Sequence, residues 1–321
     1  MLVDGFGRQI RYLRISLTDK CNLRCRYCVP EEGVVIKPHI DLLTLEEVER
    51  TAAVLTGLGI EKIRFTGGEP LVRRGAVSVI RSVASLPSKP SVGLTTNGVL
   101  LNENLHDLMS CGLSGINISL DTLRDDVYGK ITGFPVLPQV LSAVHACIDS
   151  GITLKINAVP MKGINEEDIP ALAQFSRDND MAVRFIELMP MGCASAFTGI
   201  PNDEVMKMLC DRFGSPAALT AVPEDGPASY VQFQGFKGRV GFISPLTHRF
   251  CGSCDRIRLT CDGRLKLCLA SPVSLDLRSL LRSGASDEDI AAAVAGALKD
   301  KPAGHEFINK KCDQNMIGIG G

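Results

Sequence analysis

Six of the chain's twelve cysteines stand in two groups of three. Thiols grouped in this way, in a chain with no secretory features, read as metal ligands before they read as disulfides. Cys21, Cys25 and Cys28 form a C-x3-C-x2-C loop. Three thiolates can hold three corners of a four-iron cluster and leave one iron open to another ligand. A structural zinc ion wants a fourth donor, and the nearest histidine, His39, lies outside the usual zinc spacings. Cys251, Cys254 and Cys268 form a second set, C-x2-C-x13-C. There His248 could complete a tetrahedron, so from spacing alone zinc and iron–sulfur stand nearly even. Cys111, Cys147 and Cys210 lie in helix-like apolar surroundings and read as small buried hydrophobes. Cys193 and Cys261 take no role in this reading.

The elements that must position these groups alternate between strand-like and helix-like runs, the rhythm of parallel βα units. Strands are expected at Tyr12–Leu17, Lys62–Thr66, Val92–Thr96, Gly115–Leu120, Thr153–Val159 and Ala182–Leu188. A helix should start at Thr44, where Thr44-Leu-Glu-Glu47 fits a capping box, and close at Gly57 and Gly59. The first cysteine loop follows the first strand directly, where βα folds present reactive groups.

Strand residues alternate between faces, so Lys62, Arg64 and Thr66 share one side and Ile63 and Phe65 the other. Arg14 with Ser16, Asn117 with Ser119 and Lys155 with Asn157 repeat the pattern. Helices cover the outer face of a parallel sheet, so these polar and cationic residues must line an interior. Six βα units are too few for the usual eight-stranded closed barrel, and a small closed barrel is filled with branched apolar side chains. The expectation is an incomplete (β/α)6 barrel whose wet, cationic bore holds an anion.

After Gly214-Ser215-Pro216 the pattern changes, and Pro223 to Pro227 reads as a linker or surface loop. Residues 1–220 are then the partial-barrel core. Residues 221–321 form a smaller α+β region with the second cysteine set and a Gly320-Gly321 tail. Strands are expected at Tyr230–Gln234 and Arg239–Ile243, followed by a hairpin with a two-residue Asp262-Gly263 turn. That register sets Cys268 across from Ile257 and turns Arg256 and Arg258 to the opposite face. Only a bulge or strong twist would bring all three to one ligand.

Net charge is −1, from 35 basic and 36 acidic residues. Nothing global advertises nucleic acid or an anionic membrane, so any anion site is local. No uninterrupted apolar run reaches the roughly 18 residues of a membrane span, and the start MLVDGFGRQIRYLR lacks a signal pattern. A cytoplasmic location is expected.

The cysteine loop resembles the signature of radical S-adenosylmethionine (SAM) enzymes, and Thr66-Gly-Gly-Glu-Pro70 resembles their glycine-rich SAM-binding segment. Asp4-Gly-Phe-Gly-Arg8, the run from Tyr12 to Cys28, Phe250-Cys-Gly-Ser-Cys-Asp-Arg-Ile-Arg-Leu-Thr260 and the Gly-Gly end narrow the likeness to the GTP 3′,8-cyclase family of molybdenum-cofactor biosynthesis. It covers essentially the whole chain. The resemblance implies two [4Fe-4S] clusters, one on Cys21, Cys25 and Cys28 and one on Cys251, Cys254 and Cys268. It also implies SAM contacts from Tyr27, Gly68, Ser119 and Met189, and GTP contacts from Arg14, Arg64, Thr95, Lys155, Arg256 and Arg258. Lys62 and Arg184 join the GTP set less firmly, and Arg14, Arg256 and Arg258 are the candidate catalytic residues. GTP would be cyclised between its 3′ carbon and C8, with the tail inserted into the active site. A flavodoxin- or ferredoxin-like electron donor, a downstream pterin-forming enzyme and a homodimeric assembly complete the expected partners. The rival readings are a radical SAM enzyme acting on another substrate, such as a peptide, and a zinc-binding scaffold without catalysis.

Overall fold

A computed structural model describes residues 1–220, 226–307, 312 and 314–320. The six expected strands form as β1 (Tyr12–Ser16), β2 (Lys62–Thr66), β3 (Ser91–Thr96), β4 (Gly115–Ser119), β5 (Leu154–Ala158) and β6 (Ala182–Ile186). Between and after them run α1 (Leu45–Gly57), α2 (Ala76–Ala84), α3 (Leu101–Ser110), α4 (Asp125–Thr132), α5 (Leu137–Ser150), α6 (Ile169–Asp178) and α7 (Asn202–Phe213). The capping box forms as the sequence directs: the Glu47 N–H donates to the Thr44 hydroxyl and the Thr44 N–H to the Glu47 carboxylate. Two N–H groups without helical partners are thereby satisfied.

All neighbours from β1 to β6 pair in parallel. Their apolar face packs beneath the helices, where Leu13, Ile15, Ile63, Phe65, Ile116, Ile118, Ile156 and Phe185 are fully buried. Cys111 and Cys147 belong to the same core, and Cys210 packs against it. Among the described residues no single helix is long and apolar enough to cross a membrane.

The remaining strands are β7 (Ala217–Ala218), β8 (Ser229–Gln232), β9 (Arg239–Ile243), β10 (Arg256–Leu259), β11 (Arg264–Lys266) and β12 (Ser274–Asp276), with α8 (Leu277–Arg282) and α9 (Asp287–Ala297) after them. They extend the first sheet at both edges. β9 joins β6 and β10 joins β1, each in parallel, and antiparallel strands lie beyond. The linker expected at 223–227 lies outside the described residues over 223–225.

Eight parallel strands laid flat would span roughly 34 Å at the usual strand spacing. Residues from all eight nevertheless line a single cavity, so the sheet must curl around it. The outermost parallel strands, β9 and β10, do not pair with each other, which leaves the barrel incomplete.

One expectation is corrected. The β10–β11 hairpin pairs Arg258 with Lys266 and Leu259 with Leu265, so Cys261, Asp262 and Gly263 together form the loop. Gly263 takes the left-handed conformation, φ +80°, as three-residue hairpin loops require. A one-residue slip exchanges the faces of a strand. Continued outward, the observed register brings Cys268 level with Arg256 instead of Ile257, and Lys266 level with Arg258. The twist invoked to reconcile these residues is unnecessary.

Gly263→Ala meets both a left-handed backbone, costing about 1–2 kcal/mol, and a Cβ only 2.6 Å from Arg278 Cβ. The expected outcome is a clearly lower denaturant midpoint, with reduced iron retention at the second cysteine set measured against the first.

Candidate functional site

The first cysteine set lies beyond the carboxyl end of β1. The Gly68 N–H donates to the Thr18 carbonyl at 2.7 Å and the Glu69 N–H to the Lys20 carbonyl at 2.8 Å. The glycine-rich segment is therefore stitched to the residues entering Cys21. A Cβ on Gly68 would stand 2.4 Å from the Lys20 carbonyl oxygen, so this glycine is required by the adjoining backbone itself.

Glu69 is fully buried and accepts from the Thr96 hydroxyl and the Asn97 and Leu71 N–H groups. Burial raises its carboxyl to about 7 against the pull of those bonds. Asn97, held by Glu69, donates to Asn22 at 2.7 Å and to Cys21 Sγ at 3.7 Å. The Tyr27 hydroxyl donates to Asp121 Oδ2 at 2.7 Å, and burial pushes Asp121 up to about 6.

Burial raises all three thiols, with Cys28 pushed up to about 12. Mutual proximity adds to this: Cys28 and Cys21 raise Cys25, while Cys21 and Cys193 raise Cys28. Three thiols this close, each pushed upward, suit a cationic iron centre that draws them into thiolates.

The second set sits before the amino end of β10, which runs parallel to β1. The two sets therefore bracket the strands, separated by five residues of β1, or roughly 16 Å at the strand rise. His248 is not brought to these cysteines. Its Nε2 bonds the Asp203 carboxylate at 2.9 Å on the exposed surface. The zinc arrangement based on His248 thus lacks its fourth ligand.

Between the sets, cations stand in rows fixed by register. Arg256, Tyr12 and Lys62 are level, and above them Lys266, Arg258, Arg14 and Arg64. Arg64 donates to the Tyr12 hydroxyl at 3.1 Å and to the Leu94 carbonyl at 2.9 Å. Its guanidinium occupies the place of a side chain at Gly93, where a Cβ would come within 2.7 Å.

Burial, with Arg64, Arg256 and Arg184 acting against the pull of Tyr12, lowers Arg14 to about 10. Arg258 is driven down by burial and by Arg14 and Arg256. Burial alone would raise Tyr12; the charges of Arg64, Arg14, Lys62 and Arg256 outweigh it and bring the phenol to about 7. The buried Thr95 hydroxyl has no hydrogen-bond partner among the described residues. Among the described residues, nine lysines and arginines line the cavity against one carboxylate, Asp121, a balance that a polyanionic ligand would offset.

Every site residue expected from the sequence lines this cavity: both cysteine sets, Tyr27, Gly68, Ser119, Met189, Arg14, Arg64, Thr95, Lys155, Arg256, Arg258, Lys62 and Arg184. Cys261 is buried and does not line it. Sequence reasoning missed Asn97, Asp121, Lys266 and Lys301. Only Lys266 carried a signal, its alternation with Leu265 and Leu267, which the misplaced turn concealed. The tail enters the cavity: Met316 and Ile317 line it, and the Gly320 carbonyl accepts from the Thr66 hydroxyl at 3.0 Å. Gly321 lies outside the described residues.

An open parallel α/β sheet with a three-cysteine loop off its first strand is the architecture of a radical SAM protein, and the Radical SAM superfamily model matches residues 15–176. A Molybdenum Cofactor Synthesis C model matches residues 181–307. SuiB of Streptococcus suis, solved with S-adenosylmethionine, shares the fold with a TM-score of 0.63 at 15% identity, over 88% of this chain and 67% of that one. GTP 3′,8-cyclases of Clostridium perfringens and Moorella thermoacetica are 39% and 42% identical, each aligned over 99% of both chains. The chain belongs to the GTP 3′,8-cyclase family.

Tyr12 supplies a test of the bore's field. Its folded pKa lies below the ordinary value of 10, so ionisation adds stability above pH 10 that is lost as pH falls through about 7. The stability gap between the parent and Tyr12→Phe should widen from pH 7 to pH 10. The parent's near-ultraviolet tyrosinate signal should rise from about pH 7, and added triphosphate should delay it by screening the arginines. A phenol titrating at its ordinary value would contradict the described charge arrangement.

Proposed function

We propose that this chain catalyses the GTP 3′,8-cyclase reaction, converting GTP to (8S)-3′,8-cyclo-7,8-dihydroguanosine 5′-triphosphate as the first step of molybdenum-cofactor biosynthesis. The observation carrying this reading is one cavity with a three-thiol site at each end of the strands and rows of cations between them. Cys21, Cys25 and Cys28 would hold the first cluster, which would supply the reductive cleavage of SAM and with it the radical chemistry at the 3′ carbon of GTP.

The protein's part is to bind, orient and exclude. Tyr27, Gly68, Ser119 and Met189 hold SAM at the carboxyl end, and Asp121 fixes Tyr27 through its hydroxyl. Arg14, Arg64, Thr95, Lys155, Arg256 and Arg258 hold GTP, joined by Lys62 and Arg184. Charge-assisted contacts to triphosphate and base are the expected work of such rows. Cys251, Cys254 and Cys268 would hold the second cluster. The tail, passing Cys28 and reaching Thr66, keeps water from the reacting ribose.

We further assign a cytoplasmic setting, since reduced clusters and twelve cysteines suit a reducing compartment. A small flavodoxin- or ferredoxin-like protein is the proposed reductant, and a pterin-forming enzyme the consumer of the product. Residues 1–220 are proposed as the SAM-cleaving unit and 221–321 as the unit carrying the second cluster. A homodimer is the proposed assembly.

Anaerobically prepared protein should hold about eight irons with matching sulfide. Given reductant, SAM and GTP, it should release 5′-deoxyadenosine and a cyclised nucleotide. Deoxyadenosine release indifferent to GTP would overturn the reading. Arg256→Ala and Arg258→Ala should each lower GTP turnover about tenfold to hundredfold, the worth of one charged hydrogen bond, with the first cluster's spectrum unchanged.

A further inference from the structure

Lys301 lies behind the second cysteine set and is only 2% exposed. Its ammonium donates to the Arg256 carbonyl at 2.9 Å, the Leu267 carbonyl at 2.5 Å and Cys254 Sγ at 3.8 Å. Arg256 follows Cys254 by two residues and Leu267 immediately precedes Cys268, so one side chain ties together both strands that carry the ligands. Its partners among the described residues are thus two carbonyls and a sulfur. A lysine is rarely buried without an anion, because removing its charge from water is costly. A thiolate-ligated cluster would supply the negative charge.

The Asp4 to Arg8 stretch closes the same site from the rear. Arg8 pairs with the buried Asp4 carboxylate and donates to the carbonyls of Cys251 at 2.7 Å, Pro302 at 2.7 Å and Ala303 at 2.9 Å. It thereby clamps the segment beginning at Lys301 against the cysteine turn. Gly304 permits the contact, since a Cβ there would stand 3.3 Å from Cys251 Cβ.

We propose that Lys301 is a positioning residue of the second cluster: it fixes Cys254 and Cys268 through the hairpin backbone, donates to the Cys254 thiolate, and raises that cluster's reduction potential. A nearby cation and an N–H to a ligating sulfur both favour the more negative, reduced cluster. The proposal rests on the reading of Cys251, Cys254 and Cys268 as cluster ligands.

The test is potentiometry with electron paramagnetic resonance on anaerobically reconstituted full-length protein, comparing the parent with Lys301→Met and Lys301→Gln. Both variants should show a lower midpoint potential for the second cluster, or lose it and fall from about eight to about four irons, while the first cluster's signal stays unchanged. A merely structural role would shift the thermal midpoint and leave the potential alone. Folded variants with two clusters and an unchanged second potential would overturn the proposal. So would failure of both variants to fold even without iron, since Lys301 would then be a packing residue. A parent holding only about four irons, all on the first set, would instead sink the two-cluster reading and this proposal with it.

Discussion

The structure turns on mutual repulsion among cations crowded into the bore. Arg258, Arg14 and Arg64 stand level on three adjacent strands, where neighbouring backbones lie only about 4.8 Å apart. Like charges so placed cannot hold themselves together. The opposite face holds them, because Leu13, Ile15, Ile63 and Phe65 are locked beneath the helices and the register of the parallel ladder leaves the arginines no other direction. Local accommodations follow: Gly93 leaves room for the Arg64 guanidinium, and Tyr12 turns its hydroxyl toward it. A closed barrel filled with branched apolar side chains would be easier to stabilise, but it would have no place for a triphosphate.

The same constraint explains the open architecture. A bore that takes a nucleotide must be wider than six strands can close, and strands from the carboxyl-terminal part of the chain widen it at both edges. Strand direction then separates the two thiol sites. A loop leaving β1 presents one set at the carboxyl end, and a turn entering β10 presents the other at the amino end. The two thiol sites face each other along a length set by the rise of a short strand. The tail passes close to Cys28, through the Ile317 N–H, and ends against Thr66.

Around each thiol set, some side chains act by holding others in place. Glu69 orders Asn97, which reaches Cys21; Asp121 orders Tyr27; Arg8 and Lys301 hold the second turn from behind. Buried polar groups with complete partner sets are rigid, and rigidity is what a radical intermediate demands of its surroundings.

The two cysteine spacings, the period-2 alternation of Lys62 to Thr66 and the capping box at Thr44 are local patterns. A single strand or turn contains everything needed to read them, so the strands and the polar interior were legible from residues alone, while the chemistry came from the family resemblance that the cysteine motifs carry. The turn at Asp262-Gly263 was legible only as a turn. Whether it spans two residues or three depends on hydrogen bonds between Thr260 and Arg264, and that single residue decides whether Cys268 and Arg256 are neighbours. Lys301 and Asn97 lay beyond reach altogether, since each matters through partners 45 and 76 residues distant. Sequence determined which groups exist and which way each strand turns them. Only the tertiary structure decided which distant backbones meet, because pairing β10 with β1 is a contact between the two ends of the chain that no local preference encodes.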